Sequence, residues 1–149
     1  MIVETKQDIV DVLQMPYDRY LDIVAPYAKR IHEENNQNAL TATAMLGYDN
    51  ICKNRCLYCG MRAGSTNIKR YRIAREDVVA SAKAAAATGL RRIFLISGED
   101  PKYGFDNLIY IVEEIKALGF HISLACGEFS LEQYNELRAA GADEYVLKF

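Results

Sequence analysis

The sequence lacks a strong charge of either sign and lacks any long apolar segment. Its 18 basic and 20 acidic side chains give a formal net charge of -2, which provides no general attraction to nucleic acid or to an anionic membrane. No apolar run approaches the roughly 18 residues of a membrane span, and the first residues do not have the layout of a signal peptide. These absences predict a cytoplasmic protein without a nucleic-acid or membrane partner.

The chain of 149 residues is also too short for a complete eight-stranded βα barrel, which needs about 250 residues. Two helical patterns come first, at 5–14 and 17–34, and Pro26 is expected to kink or break the second one. Beyond them the sequence alternates strand-like runs with helical patterns. The predicted strands are 39–48, 91–97, 120–126 and 143–148, and the predicted helices are 75–88, 106–118 and 131–140.

Helix-end signals accompany these patterns. Asp106 is the expected cap of the second helix in the alternating region, and Ser130 with Gln133 forms a capping box for the third. Short apolar strands that are separated by helices indicate an α/β fold with a parallel sheet and right-handed crossovers. Glycines that accept a left-handed backbone follow the three helices, at Gly89, Gly119 and Gly141.

Three of the four cysteines, Cys52, Cys56 and Cys59, lie within eight residues of one another, in a loop after the first predicted strand. A disulfide framework would spread its cysteines along a secreted chain, so this cluster predicts metal or iron–sulfur ligation. Zinc remains an alternative with Cys126 as the fourth ligand. The two histidines, His32 and His121, are expected to lie away from this edge of the sheet.

Other polar turns follow the next two predicted strands, at 97–101 (SGEDP) and 126–128 (CGE). Because the carboxyl ends of parallel strands share one edge of a sheet, we expect these turns to meet the cysteine loop. The local alternatives are that the first is a simple turn, that Cys126 is a small buried hydrophobe, and that Glu128 only stabilises a helix start. The basic residues of 53–72 are expected to form a solvated loop.

The C-x3-C-x2-C motif at 52–59 resembles the signature of the radical S-adenosylmethionine (SAM) superfamily, and Tyr58 matches its common aromatic residue. The stretches 54–62, 67–72, 97–101 and 140–148 are most similar to the HydE maturases of [FeFe]-hydrogenase. Methylornithine synthases (PylB) share the GEDP turn, and biotin synthases share the general plan. The resemblance implies an enzyme with a partial TIM-type βα barrel at 39–149, preceded by a helical segment at 1–38.

In this superfamily the three cysteines would bind three irons of a [4Fe–4S] cluster, and the fourth iron would bind the amino and carboxylate groups of SAM. Reduction of the cluster would cleave SAM to methionine and a 5′-deoxyadenosyl radical, which abstracts hydrogen from a small-molecule substrate. An electron donor such as flavodoxin or ferredoxin is implied, as are other hydrogenase maturation proteins. The implied SAM contacts are Tyr58, Gly60, Gly98, Glu99, Asp100, Glu128 and Lys148.

Departures from the superfamily narrow the prediction. Biotin synthases carry extra cysteines where Ile96 and Ser123 stand here, which disfavours sulfur insertion by that route. A non-catalytic iron–sulfur or zinc module is the alternative of another class, and it would need Cys126 to complete four ligands. Since such barrels use at least six βα units and this chain stops on its fourth strand, we also expect a fragment that self-associates or unfolds easily.

Overall fold

The computed structural model describes residues 3–36 and 41–148. It divides into two compact units, Met1–Thr41 and Ala42–Phe149. The first unit contains two helices, α1 (Lys6–Leu13) and α2 (Tyr17–Asn36). None of the described helices is long and apolar enough to cross a membrane.

Helix α2 runs without interruption through Pro26, so the expected break is absent. Proline removes one backbone donor and crowds the preceding turn. The turns of helix before and after Pro26, more than four turns in all, still make their own hydrogen bonds and keep the segment helical. Helix α1 begins at a capping box in which Thr5 and Asp8 exchange hydrogen bonds.

The second unit is an α/β sheet built in chain order. Its strands are β1 (Ala44–Asp49), β2 (Arg92–Ser97), β3 (His121–Ala125) and β4 (Glu144–Tyr145), all parallel and in the order β1-β2-β3-β4. The helices that connect them are α3 (Arg75–Ala87), α4 (Phe105–Ala117) and α5 (Leu131–Ala140). This arrangement agrees with the predicted partial barrel of parallel strands.

One face of the sheet forms the core, because alternate side chains of each strand point to the helices. Ile93 and Leu95 of β2 and Leu124 of β3 are fully buried in one cluster with Ile111 and residues like it from α4. The opposite face remains partly exposed within residues 42–148, where Met45 keeps 67% of its surface. The exposed face is the one that a complete barrel encloses.

Several predicted boundaries are corrected by the structure. The first strand begins at Ala44 and not at residue 39, and residues 37–40 lie outside the described part of the chain. The last strand covers two residues in place of 143–148, because among residues 41–148 only Glu144 and Tyr145 of this segment pair with β3. Both strands are shorter than their apolar patterns, since ladder pairing ends before the pattern does.

The cap predicted for the second helix of the sheet unit is also wrong. Helix α4 is preceded by Gly104, whose φ of 86° suits glycine, and no side chain in the described part of the chain caps the helix. Asp106 lies inside the first turn, where a carboxylate still stabilises the positive end of the helix dipole. In contrast, the capping box of Ser130 and Gln133 is confirmed, and Gly141 ends α5 in a left-handed conformation.

Candidate iron–sulfur and SAM site

The three clustered cysteines lie in the long loop that joins β1 to α3, hereafter the cysteine loop (residues 50–74). Cys52, Cys56 and Cys59 are half-buried free thiols. All three line one cavity of about 160 Å³ at the carboxyl edge of the sheet. A short turn and a longer backbone contact shape the loop, since the Cys59 amide donates to the Cys56 carbonyl and the Ala63 amide donates to the Asn54 carbonyl at 2.7 Å.

The same cavity brings together the three loop ends that follow β1, β2 and β3. Apolar strand ends contribute Ile96, Ala125 and Val146 to its wall. The residues implied as SAM contacts that line it are Tyr58, Gly98, Glu99, Glu128 and Lys148. The expected meeting of distant polar turns at one edge of the sheet is therefore present.

Two of the implied contacts do not line this cavity. Gly60 is exposed, and a Cβ added to it would meet no described atom within 4 Å. Asp100 accepts hydrogen bonds from Arg72 Nε at 2.8 Å and from the Lys102 amide at 2.9 Å. Neither Gly60 nor Asp100 lines the cavity of the three thiols, although Gly60 directly follows Cys59 and Asp100 directly follows Glu99.

Glu99 is the central polar residue of the site. Its carboxylate contacts Lys53 Nζ at 2.5 Å through Oε1 and accepts a hydrogen bond from Asn54 Nδ2 at 2.8 Å through Oε2. Its own carbonyl accepts from the Lys53 amide. Burial alone would raise the pKa of Glu99, but the contacts with Lys53, Asn54 and the Glu128 amide outweigh burial and lower it. The carboxylate is therefore held ionised beside the cavity.

Two glycines permit the close approach of these loops. A Cβ on Gly98 would overlap the carbonyl of Ile51 and would lie 3.0 Å from Cys52 Cβ. Gly127 has a φ of 105°, and a Cβ there would lie 2.6 Å from Glu99 Cγ. The GEDP turn and the turn after β3 therefore pack directly against the cysteine loop and against each other.

A buried carboxyl pair lies behind the GEDP turn, and sequence reasoning did not identify it. Arg72 contacts Asp100 and lies 3.5 Å from Asp49 Oδ2 through its Nε atom. Burial raises the pKa of Asp49 to about 6. Burial also acts to raise the pKa of Asp100, but the contacts with the Lys102 amide and with Arg72 outweigh it and lower that pKa. The available signal was the position of Asp49, an acidic residue directly after an apolar strand.

Part of the basic stretch is engaged and does not form the expected solvated loop. Arg72 binds the carboxyl pair, and the Arg70 guanidinium donates to four backbone carbonyls of the cysteine loop. Arg55 is exposed, as expected for a solvated side chain. The loop thus uses some of its cations to hold its own backbone.

The donor chemistry of the cavity fits an iron–sulfur cluster. Soft thiolates are the usual ligands of such clusters, and each cysteine binds a different iron. Among residues 3–36 and 41–148, no three His, Cys, Asp or Glu side chains are placed to bind one metal ion. Three thiols of one short motif that line one cavity suit three irons of a cluster, whereas a structural zinc site closes with four ligands.

Cys126 does not complete a four-thiolate site in this structure. It is 4% exposed, its Sγ lies 3.5 Å from the Leu95 carbonyl, and it lines a cavity different from the one at the other cysteines. Burial raises the pKa of its thiol, which opposes formation of a thiolate ligand. The arrangement agrees with a small buried hydrophobe.

Comparison with known proteins identifies the family of this site. The sequence profile of the Radical SAM superfamily matches residues 49–149. The chain is 43% identical over 105 residues to the [FeFe] hydrogenase maturase subunit HydE of Thermotoga maritima, which covers 70% of this chain and 30% of that protein. It is 26% identical over 143 residues to the 3-methylornithine synthase of Methanosarcina acetivorans, covering 94% of this chain and 41% of that protein.

A solved structure of methylornithine synthase (PylB) superposes with a TM-score of 0.83 at 22% identity, covering 95% of this chain and 42% of the other. That likeness supports the fold. The chain spans less than half the length of these relatives. With the profile match over most of its length and the cysteine motif lining the cavity, the chain belongs to the radical SAM superfamily.

Proposed function

We propose that Cys52, Cys56 and Cys59 hold a [4Fe–4S] cluster and that SAM binds in the adjoining cavity. The observation that carries this proposal is the shared cavity, which the three thiols line together with Glu99 and Lys148. When bound, the cluster supplies the electron that cleaves SAM to methionine and a 5′-deoxyadenosyl radical.

The residues of the chain have distinct roles in this proposal. The Glu99 carboxylate and the neighbouring backbone accept hydrogen bonds from the amino group of the methionine moiety, since an amino group needs acceptors. Tyr58 and the backbone at Gly60 meet the adenine, and Lys148, three residues after β4, is a cationic contact. Asp100 supports Glu99 through the turn that they share.

The wider biological role that we propose is hydrogenase maturation of the HydE type. The identity of 43% to a HydE protein, against 26% to a methylornithine synthase, favours this subfamily. A small-molecule substrate, a low-potential electron donor such as flavodoxin or ferredoxin, and other maturation proteins belong to this proposal. Because the clustered cysteines serve as cluster ligands and not as disulfide partners in this proposal, we place the protein in the cytoplasm.

Anaerobic reconstitution of the chain tests the core of the proposal. We expect about four irons per chain, as one [4Fe–4S] cluster requires. We also expect binding of SAM and, under reduction, formation of 5′-deoxyadenosine. The variant C56A should lose the iron, while C126A should retain it. Stoichiometric zinc with almost no iron would overturn the proposal, and neighbouring hydrogenase or pyrrolysine genes would separate the two subfamilies.

A further inference from the structure

The Arg70 side chain gathers four backbone carbonyls of the cysteine loop. Nη1 donates to the Asn50 carbonyl at 2.6 Å and to the Met61 carbonyl at 2.8 Å, and Nη2 donates to the carbonyls of Arg62 at 2.7 Å and Ser65 at 3.1 Å. The side chain is half-buried. Within the described part of the chain, no carboxylate lies within ion-pair distance of it. The positive charge of Arg70 is therefore directed at the loop backbone.

The four carbonyls that Arg70 contacts come from both ends of the cysteine motif. Asn50 precedes the first cysteine, whereas Met61, Arg62 and Ser65 follow the third. One guanidinium thus joins the two ends of the segment that contains all three thiols. We infer that Arg70 is a positioning residue that holds the cysteine loop in its cluster-binding conformation before the cluster arrives, an inference that rests on the proposed function.

The residues on either side of Arg70 fix it to the sheet. Tyr71 accepts a backbone hydrogen bond from the Asn50 amide, and its hydroxyl donates to the Gly47 carbonyl at 3.1 Å. The Asn50 side chain donates to the Lys69 carbonyl and accepts from the Tyr71 amide, both at 2.8 Å. These contacts extend the edge of β1, so Arg70 transmits the order of the sheet to the loop.

The four contacts of Arg70 need the geometry of a guanidinium and not only a positive charge. Carbonyl oxygens that point to one centre repel each other unless donors lie between them. A guanidinium offers five N–H groups in a fixed plane, so it can satisfy four carbonyls at once, whereas a lysine ammonium has three donors on a flexible stem. A lysine at position 70 would keep the charge and lose the geometry.

Hydrogen exchange of the cluster-free chain, followed by iron loading, tests this role. In R70M we expect the amides of Ala63 and Ser65, which donate hydrogen bonds inside the loop, to exchange at least tenfold faster than in the wild type. Amides of the β2 strand should keep their protection, and iron uptake should fall. R70K should show an intermediate increase in exchange, and it should recover part of the iron. The matched control is R55M, which removes an exposed cation from the same loop and should change neither result.

Each outcome decides the inference. If β2 also loses protection in R70M, that variant has lost its fold, and the ratio of loop to β2 exchange is measured in R70K instead. If R70M folds and its loop amides exchange at the wild-type rate, the positioning role is overturned. Wild-type loop exchange in R70K would also overturn it, because a positive charge would then suffice without the guanidinium geometry. Failure of the wild-type chain to bind iron would refute the proposed function and would leave the exchange comparison in the cluster-free chain valid.

Discussion

The Asn54 amide donates a hydrogen bond to the Glu99 carboxylate at 2.8 Å, although the two residues are 45 positions apart in the sequence. Asn54 stands between the first two cysteines of the motif, and Glu99 belongs to the turn after the next strand. The contact therefore couples the segment that would hold the cluster to the segment that would hold SAM. Lys53 binds the other oxygen of the same carboxylate.

Removal of the Glu99 charge should loosen both segments. E99Q retains the shape of the side chain, but its amide nitrogen would face a donor from Asn54 or Lys53 and could not accept from it. A hydrogen bond to a charged group contributes about 1.5–3 kcal/mol. We therefore expect E99Q to weaken SAM binding at least tenfold and to reduce iron retention.

Titration calorimetry with SAM and iron analysis of the reconstituted chain measure these effects. The control is E136Q, which removes an exposed carboxylate from helix α5, away from the cavity. Equal affinity of E99Q and wild type for SAM would contradict the central role of this carboxylate.

Gly98 should tolerate no side chain. A Cβ there overlaps the backbone of Ile51, which cannot move without displacing Cys52, so G98A forces the GEDP turn away from the cysteine loop. Overpacking of this kind typically costs about 1–3 kcal/mol. We expect a lower melting temperature and a loss of reconstituted iron.

The matched glycine substitution is G64A, because a Cβ on Gly64 meets nothing within 4 Å and this glycine has no positive φ. This variant should melt and bind iron like the wild type. If G98A and G64A have the same melting temperature and the same iron content, the close backbone contact at Gly98 affects neither the stability nor the cluster site.

The buried Asp49 carboxyl gives the folded chain a specific pH dependence. Burial raises its pKa to about 6, compared with roughly 4 in an unfolded chain. Between these values the folded state keeps a proton that the unfolded state has released. The stability that Asp49 contributes is therefore complete below about pH 4 and is lost as the pH rises through 6.

D49N mimics the protonated form and should remove this dependence. The difference in unfolding free energy between D49N and wild type should change by up to about 3 kcal/mol from pH 4 to pH 7, at roughly 1.4 kcal/mol for each pKa unit. Urea denaturation across this range measures it, with D106N as the control for loss of an exposed acid. A constant difference from pH 4 to pH 7 would show that Asp49 is not protonated in the folded state at pH 5.

The sequence predicted local elements and their common edge well, because both follow from short-range patterns. Apolar strands and the Ser130 cap depend on neighbours within a few residues, and loops after parallel strands must share one side of the sheet. The partners of Arg70 and Arg72 could not be derived in this way. Arg72 reaches Asp100 across 28 positions, and the charge pattern alone does not distinguish such a contact from a solvated cation.

The predicted break at Pro26 and the predicted length of the last strand were wrong for a similar reason. Pro26 breaks helices by its local chemistry, but a 20-residue helix retains enough hydrogen bonds to continue past it. The last strand is short because its length depends on pairing with β3. The residue pattern of 143–148 alone does not show where that pairing ends.

Cys126 separates the cluster proposal from a four-cysteine metal module. Its thiol is fully enclosed with a raised pKa and lies in another cavity, so it should contribute packing and not ligation. C126A should lower the unfolding free energy by about 1–3 kcal/mol, since truncation of a buried side chain leaves a small void. C126S would bury a hydroxyl in its place, which tests whether the packing or the polarity of this side chain determines the loss of stability.

Both Cys126 variants should bind as much iron as the wild type after reconstitution, whereas C52A should not. Loss of iron from C126A while the fold persists by circular dichroism would establish Cys126 as a ligand and favour the non-catalytic module.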